Sequence, residues 1–241
     1  MSPDQVTVVI PTYNEHENLA EISAAVIDHG YRLVIVDDAS PDGTGQIADG
    51  LADSDPLISV IHRPHKQGLG PAYAQAFNTL VRGGTQVIIE MDADFSHDPS
   101  DLPRLVAAID DGADLAIGSR YMPGGSTPDW PLVRRLISKG GNLYARVMLG
   151  IPIRDATAGF RAFRSEALAG LPYETAEASG YGFQVEMAWR AAQQNLKIVE
   201  VPIAFRDRTR GESKMGLAIV AEAMWLVTVW GVGRLWERIT R

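Results

Sequence analysis

At 241 residues, 46% of them hydrophobic and 22% charged, the chain has the composition of a soluble globular protein and is long enough to bury one full core. It contains no cysteine, which excludes disulfides and thiolate metal sites and favours Mg²⁺ or Mn²⁺ on oxygen ligands over zinc. A formal net charge of −8 gives no footprint for nucleic acid, so nucleic acid is not an expected partner.

The first residues, MSPDQVTVVIPTYNE, lack the basic start, apolar middle and small-residue cleavage site of a secretory signal, so a cytoplasmic location is expected. No stretch reaches the roughly 18 uninterrupted apolar residues that a membrane-spanning helix needs. In chain order, VTVVI (6–10) predicts a strand and 16–29 a helix, RLVIVDD (32–38) a strand and 44–53 a helix. LISVIH (57–62) and 70–82, then QVIIEMD (86–92) and 100–111, repeat the alternation before a strand at ADLAIGS (113–119). Apolar runs without polar alternation imply strands covered on both faces, hence an α/β fold with a mostly parallel sheet between helices. Ligands of such sheets bind beyond the carboxyl ends of the strands. The clusters PTYNE, DDASPDGT and DADFSHDP fall there, and no internal repeat or low-complexity linker interrupts the pattern.

Two later segments differ in kind. Helical projection of 130–148 puts Leu132, Val133, Leu136, Ile137, Leu143, Tyr144, Val147 and Met148 on one face, with Arg134, Arg135, Ser138, Lys139, Asn142 and Arg146 opposite. A surface helix with a solvated charged face fits this pattern, but a face with cations and no acid also suits an anionic surface. From Gly216 to Gly233 the only charge is Glu222, and apolar residues surround the helix; such a helix is buried, docked on a partner or laid against lipid.

The chemistry concentrates at strand ends. Asp92 and Asp94 are two residues apart, so on extended backbone they share a face and repel unless a cation lies between them. Mg²⁺ typically takes one or two carboxylates plus phosphate oxygens and water, which suits a nucleotide diphosphate. The competing reading is a solvated turn, with His97-Asp98-Pro99 starting the next helix. DADFS also resembles the nucleophile loop of haloacid-dehalogenase-like phosphatases. That loop normally follows the first strand, whereas three strands precede it here, and the later acidic pair of those enzymes is not found. Glu15 and Asp38 follow neighbouring strands, where a carboxylate can accept the adjacent N–H donors of a uracil or guanine edge, with Pro11 and Tyr13 lining the same turn. PTYNE can equally start a helix, with Asn14 as cap and Glu17 at the third helical position. Lys66 and the glycines of HRPHKQGLG precede a helix as a phosphate or ribose contact, while His62 and His65 read as loop or core residues.

The motifs PTYNE, VDDASPDGT, KQGLG, MDADFSHDP, GSRY, DATAGFRAF, GYGFQVEM and DRTRGESKM follow one another from about Val6 to Met215. In this the chain resembles the dolichol-phosphate (polyprenol-phosphate) mannosyltransferases, a branch of the family 2 inverting glycosyltransferases with a GT-A fold. The resemblance implies a GT-A (Rossmann-like) domain over 1–215 and a C-terminal apolar or amphipathic helical extension over 216–241. It assigns Pro11, Tyr13, Glu15, Val36 and Asp38 to the nucleotide, and Asp92, Ala93 and Asp94 to Mg²⁺ or Mn²⁺ and the diphosphate-sugar. Arg120, Arg208 and Lys214 would meet phosphate groups, and Arg134, Ser138 and Lys139 the acceptor phosphate or the membrane. Family members carry Gln or Ser at the position of Ser96, and Gln is the better ligand, so Ser96 is left outside the expected metal shell.

The implied reaction moves mannose from GDP-mannose to a polyprenyl phosphate with inversion, Asp155 and Glu186 orienting sugar hydroxyls. The implied setting is peripheral, on the cytoplasmic face of a membrane, with 216–241 on lipid or on a membrane-integral partner subunit. Two alternatives keep most of these residues. One is a UDP-glucose:polyprenyl-phosphate glucosyltransferase. The other is a non-catalytic nucleotide-sugar binding subunit, whose signature would be a broken Asp92/Asp94 pair or missing arginines; both sets are intact.

Overall fold

A computed structural model describes residues 1–178, 180–208 and 217–240. The expected strands form β1 (Val6–Thr12), β2 (Arg32–Asp37), β3 (Ile58–His62), β4 (Val87–Glu90) and β5 (Leu115–Ser119). Two strands not expected from the sequence, β6 (Arg161–Arg164) and β7 (Ile198–Pro202), complete one sheet in the order β3-β2-β1-β4-β6-β5-β7. The helices are α1 (Leu19–Ile27), α2 (Thr44–Ser54), α3 (Leu69–Arg82), α4 (Leu102–Asp110), α5 (Leu132–Leu149), α6 (Ser165–Ala169), α7 (Tyr181–Gln193) and α8 (Leu217–Thr240).

The unbroken apolar runs are explained by two cores, one on each face of the sheet. Val9, Val34, Val36 and Ile88 pack on one side with Tyr73 and Phe77 of α3, while Val8, Ile10, Leu33, Ile35 and Ile89 pack on the other with Leu19, Ile22 and Leu105. Each fully buried aliphatic side chain of this kind contributes about 1.5–3 kcal/mol through removal from water. Neighbouring pairs are parallel except at β6, which runs against both β4 and β5. That reversal positions the site. The residues that enter β6 stand at the same sheet edge as those that leave β1, β2, β4 and β5, so DATAGF meets PTYNE and DADFS.

Two local expectations are corrected. Asn14 does not cap α1: its φ is +56°, its N–H donates to Ser40 Oγ at 3.1 Å, and the helix starts five residues later at Leu19. The α5 helix sits the opposite way round from an ordinary surface helix. Asn142, Ala145 and Leu149 face the body at 2–3% exposure, while Leu132, Val133, Leu136, Ile137, Leu143 and Val147 are 60–69% exposed. Polar partners on the body explain this orientation. Arg134 donates to both oxygens of Asp207 at 2.8 and 2.9 Å, Arg135 to Pro128 O, and Asn142 to Thr157 Oγ1 at 3.0 Å. Lys139 and Arg146 remain exposed.

Helix α8 packs along α5 and α7 through buried Val227, a Trp189–Trp230 stack and a 2.6 Å bond between Tyr144 Oη and Thr228 Oγ1. Its other side exposes Val220, Met224, Trp225, Val229, Val232 and Trp236. Among the described residues no helix is long and apolar enough to cross a membrane.

Candidate active site

A cleft of about 320 Å³ opens at the carboxyl edge of the parallel strands. Pro11, Tyr13, Glu15, Asp38 and Lys66 line one part, and Asp92, Ala93, Asp94, Gly159, Gln184 and Arg208 line the rest. The structure therefore brings most of the expected site together. Val36 is an exception, being 0% exposed within the core and no part of the cleft wall. Lys214 lies outside the described residues.

Backbone bonds shape the first part. Glu15 is held by its N–H on Thr44 Oγ1 at 3.0 Å and accepts from Asn18 Nδ2 at 3.2 Å. Asp38 accepts from Arg63 Nη1 at 2.6 Å, from Gly68 N at 2.8 Å and from Gln67 N. Its carboxylate thereby fixes the KQG loop, which carries the Lys66 ammonium to 3.7 Å above the Tyr13 ring. Nearby, burial raises the pKa of Asp42, but hydrogen bonds from the Thr44 hydroxyl and amide and from His16 outweigh it and bring the carboxyl down to about 2.

The second part is built by a tight turn after β4. Phe95 takes φ +58°, which folds the loop so that Ser96 N donates to Asp94 Oδ1 at 3.0 Å. Asp92 N–H donates to His97 Nδ1 at 3.2 Å, so that nitrogen carries no proton. Burial against Phe160 lowers the His97 pKa to about 4 and keeps the ring neutral. Arg208 Nη2 reaches Asp94 Oδ2 at 3.0 Å. The donor set fits a hard divalent cation: two carboxylates on the cleft wall, and beside them the buried Ser96 Oγ, with no hydrogen-bond partner among the described residues. No cluster of three acidic or histidine ligands exists among the described residues, so a diphosphate and water would have to supply the remaining ligands.

Asp92 and Gly159 also wall a narrow recess with His97, Arg120, Thr157 and Phe205. There Arg120 is clamped by Asp155, Nε to Oδ2 at 2.7 Å and Nη2 to Oδ1 at 2.6 Å, and by Thr157 Oγ1 at 2.7 Å. Its guanidinium lies 5.3–5.4 Å from the ring centres of Tyr121, Trp130 and Phe205. Arg134 stacks on the same Trp130 at 4.0 Å, Ser138 Oγ accepts from Tyr121 Oη at 2.6 Å, and Lys139 Nζ is 5.8 Å from the Tyr121 ring. The arginines and the α5 residues thus form one aromatic-walled cationic group beside the cleft.

Asp155 and Glu186 are not the sugar contacts that the resemblance implied. Fully buried Asp155 spends its oxygens on Arg120, and Glu186 accepts from the amides of Glu177 and Ala178 at 2.9 Å and from Arg190. Sequence reasoning also missed a buried polar group under the cleft. Glu90 faces Arg161 across β4 and β6, both 0% exposed, and burial lifts the Glu90 carboxyl to about 7 despite that cation. Gln184, equally buried, is the third member. Its signal was a glutamate ending VIIE, an arginine inside GFRAF and an amide inside GYGFQVEM, each a polar residue in an apolar run.

The profile described as Glycosyl transferase family 2 matches residues 7–171. The polyprenol monophosphomannose synthase of Mycolicibacterium smegmatis is 49% identical over 239 residues, covering 97% of this chain and 90% of that protein. The undecaprenyl-phosphate mannosyltransferase of Micrococcus luteus is 48% identical, covering 97% and 96%. Among solved structures, a mannosyltransferase of Pyrobaculum calidifontis in complex with GDP-Man and Mn²⁺ superposes with a TM-score of 0.58 at 19% identity, covering 98% of this chain and 67% of that one.

Proposed function

The chain belongs to glycosyl transferase family 2, and from that premise we propose that it transfers mannose from GDP-mannose to a polyprenyl phosphate, giving a polyprenyl β-mannosyl phosphate. One observation carries the reading: a cleft that joins a nucleotide-type wall to paired carboxylates, in a chain that matches two polyprenyl-phosphate mannosyl enzymes over 97% of its length. Tyr13, Glu15, Asp38 and Lys66 bind the nucleoside end of the donor. Asp92 and Asp94 would hold Mg²⁺ or Mn²⁺, which when bound compensates the charge that gathers on the departing GDP.

The acceptor phosphate is anionic at neutral pH, so its oxygen needs no general base. It attacks the anomeric carbon as the bond from that carbon to the GDP oxygen breaks, and the electron pair leaves with GDP. Attack opposite the leaving group inverts the centre. The physical obstacle is repulsion between acceptor phosphate and donor diphosphate. Arg208 in the cleft offsets it, since a guanidinium pairs with phosphate oxygens in a fork geometry, whereas Arg120, behind the Asp92 wall, has its own fork closed on Asp155.

The acceptor's tail requires approach to lipid. The joint outer face of α5 and α8, apolar from Leu132 to Trp236, supports peripheral seating in the membrane interface, with exposed Lys139 and Arg146 at headgroup level. Incubation with Mn²⁺ or Mg²⁺, a polyprenyl phosphate and labelled GDP-mannose or UDP-glucose tests the function. Label is expected in the organic phase from GDP-mannose; label only from UDP-glucose would establish the glucosyl alternative, and none from either would overturn the enzyme.

A further inference from the structure

Gln184 belongs to the buried polar group beneath the cleft but has no part in the reaction proposed above. It sits in the first turn of α7, is fully buried yet lines the cleft, and neither amide atom closes a hydrogen bond among the described residues. A buried amide is costly to leave unmet, so its persistence beside a cavity points to a partner that arrives with the ligand. Glu90 on β4 is another fully buried polar side chain of the same group. Among the described residues neither Glu90 oxygen has a hydrogen-bond partner either.

Gln184 lines the cleft together with Asp92, Gly159 and Gly180. Glu90 is two residues before Asp92 on β4, and the facing Arg161 is two residues after Gly159 on β6. β1 and β2, which carry Glu15 and Asp38 at their ends, lie on the opposite side of β4. A nucleotide sugar runs base, ribose, diphosphate, sugar. With the base toward Tyr13 and Asp38 and the diphosphate at Asp92 and Asp94, the sugar falls against Gly159, Gly180 and Gln184. Two of these three have no side chain, which leaves the space for a ring.

We propose that Gln184 reads the hexosyl group of the donor. A carboxamide offers an acceptor and two donor hydrogens, which match adjacent sugar hydroxyls that each donate and accept. The assignment rests on the nucleotide-sugar reading of the cleft and adds to it the residue that selects the sugar.

Calorimetric titration of Gln184→Met, which keeps the shape and loses the hydrogen bonds, against GDP and against GDP-mannose in Mn²⁺ separates the two. GDP affinity is expected within twofold of the unsubstituted protein, GDP-mannose affinity at least tenfold weaker, and the turnover preference for GDP-mannose over GDP-glucose reduced at least tenfold. Unchanged GDP-mannose affinity and preference, or parallel loss of GDP and GDP-mannose, would overturn the proposal. Failure of the unsubstituted protein to bind GDP or GDP-mannose would instead overturn the reading it rests on. Should Gln184→Met melt well below the unsubstituted protein, Gln184→Asn carries the same comparison, its shortened amide predicting the same selective loss for GDP-mannose.

Discussion

Arg208 reaches into the cleft and places Nη2 3.0 Å from Asp94 Oδ2, so one of the two candidate metal carboxylates is matched by a protein cation. A divalent ion and this guanidinium compete for the same oxygen, and the guanidinium then becomes available to phosphate. Arg208→Ala should lower the transfer rate about 10²–10³-fold, the usual effect of removing one charge stabiliser. Mn²⁺ affinity, followed by electron paramagnetic resonance, should not weaken. A variant with normal turnover and weakened Mn²⁺ binding would make Arg208 a support for the carboxylates instead.

Asp92→Ala should reduce turnover by about 10²-fold or more, equivalent to ~2.7 kcal/mol of barrier, and abolish the response to added Mn²⁺. Arg135→Ala, which loses a single bond to Pro128 O on the body side of α5, should change the rate little. Comparable losses in the two variants would argue against the carboxylate pair as metal ligands.

The Arg120–Asp155 pair is buried on both sides, with side-chain exposures of 6% and 0%. Asp155→Ala strands the guanidinium and should cost about 3–5 kcal/mol in urea unfolding. Adding Arg120→Met should return part of that loss, because the double change leaves no unpaired charge. Additive losses would show that the two residues do not act as a pair.

Acid stability should carry the signature of Asp42. Its folded pKa of about 2 lies below its ordinary 3.8, so its contribution is present above pH 3.8 and is lost as pH falls toward 2. Asp42→Asn should therefore be less stable than the unsubstituted protein at pH 6, with the difference narrowing between pH 4 and 2. An unchanged gap across that window, read by thermal melts, would contradict the assignment.

Membrane binding through an outward apolar face predicts weak salt dependence. Flotation with liposomes should persist at 0.5 M NaCl on neutral lipid at about the level seen in low salt, because apolar burial is not screened. Leu136→Glu with Ile137→Glu should abolish it without lowering the melting temperature, both side chains being at least 60% exposed. Binding only to anionic vesicles, lost in salt, would return the cations to the leading role.

The strands from β1 to β5 and the cleft residues from Pro11 to Asp94 were legible because apolar runs and strand-end carboxylates are local signals. β6 was not: four residues, RAFR, with a buried arginine, have no strand pattern, and only pairing with β4 and β5 makes them one. Asp155 and Glu186 were given the wrong partners for a related reason. A motif names a carboxylate but not the N–H groups that the fold has already aimed at it, and these are Arg120 and the 177–178 amides. Val36 shows the converse, since a residue next to a site in sequence can point into the core.

The inverted seating of α5 also reverses the usual map of tolerance to substitution. On most surface helices the exposed positions accept almost any residue and the inward ones demand apolar bulk. Here one inward position, Asn142, is fixed by its hydrogen bonds with Thr157 beside the apolar Ala145 and Leu149, while the water-facing positions carry large apolar side chains. Charge introduced at the outward positions of this helix should therefore leave a well-folded protein, whereas an apolar residue in place of Asn142 should weaken the fold.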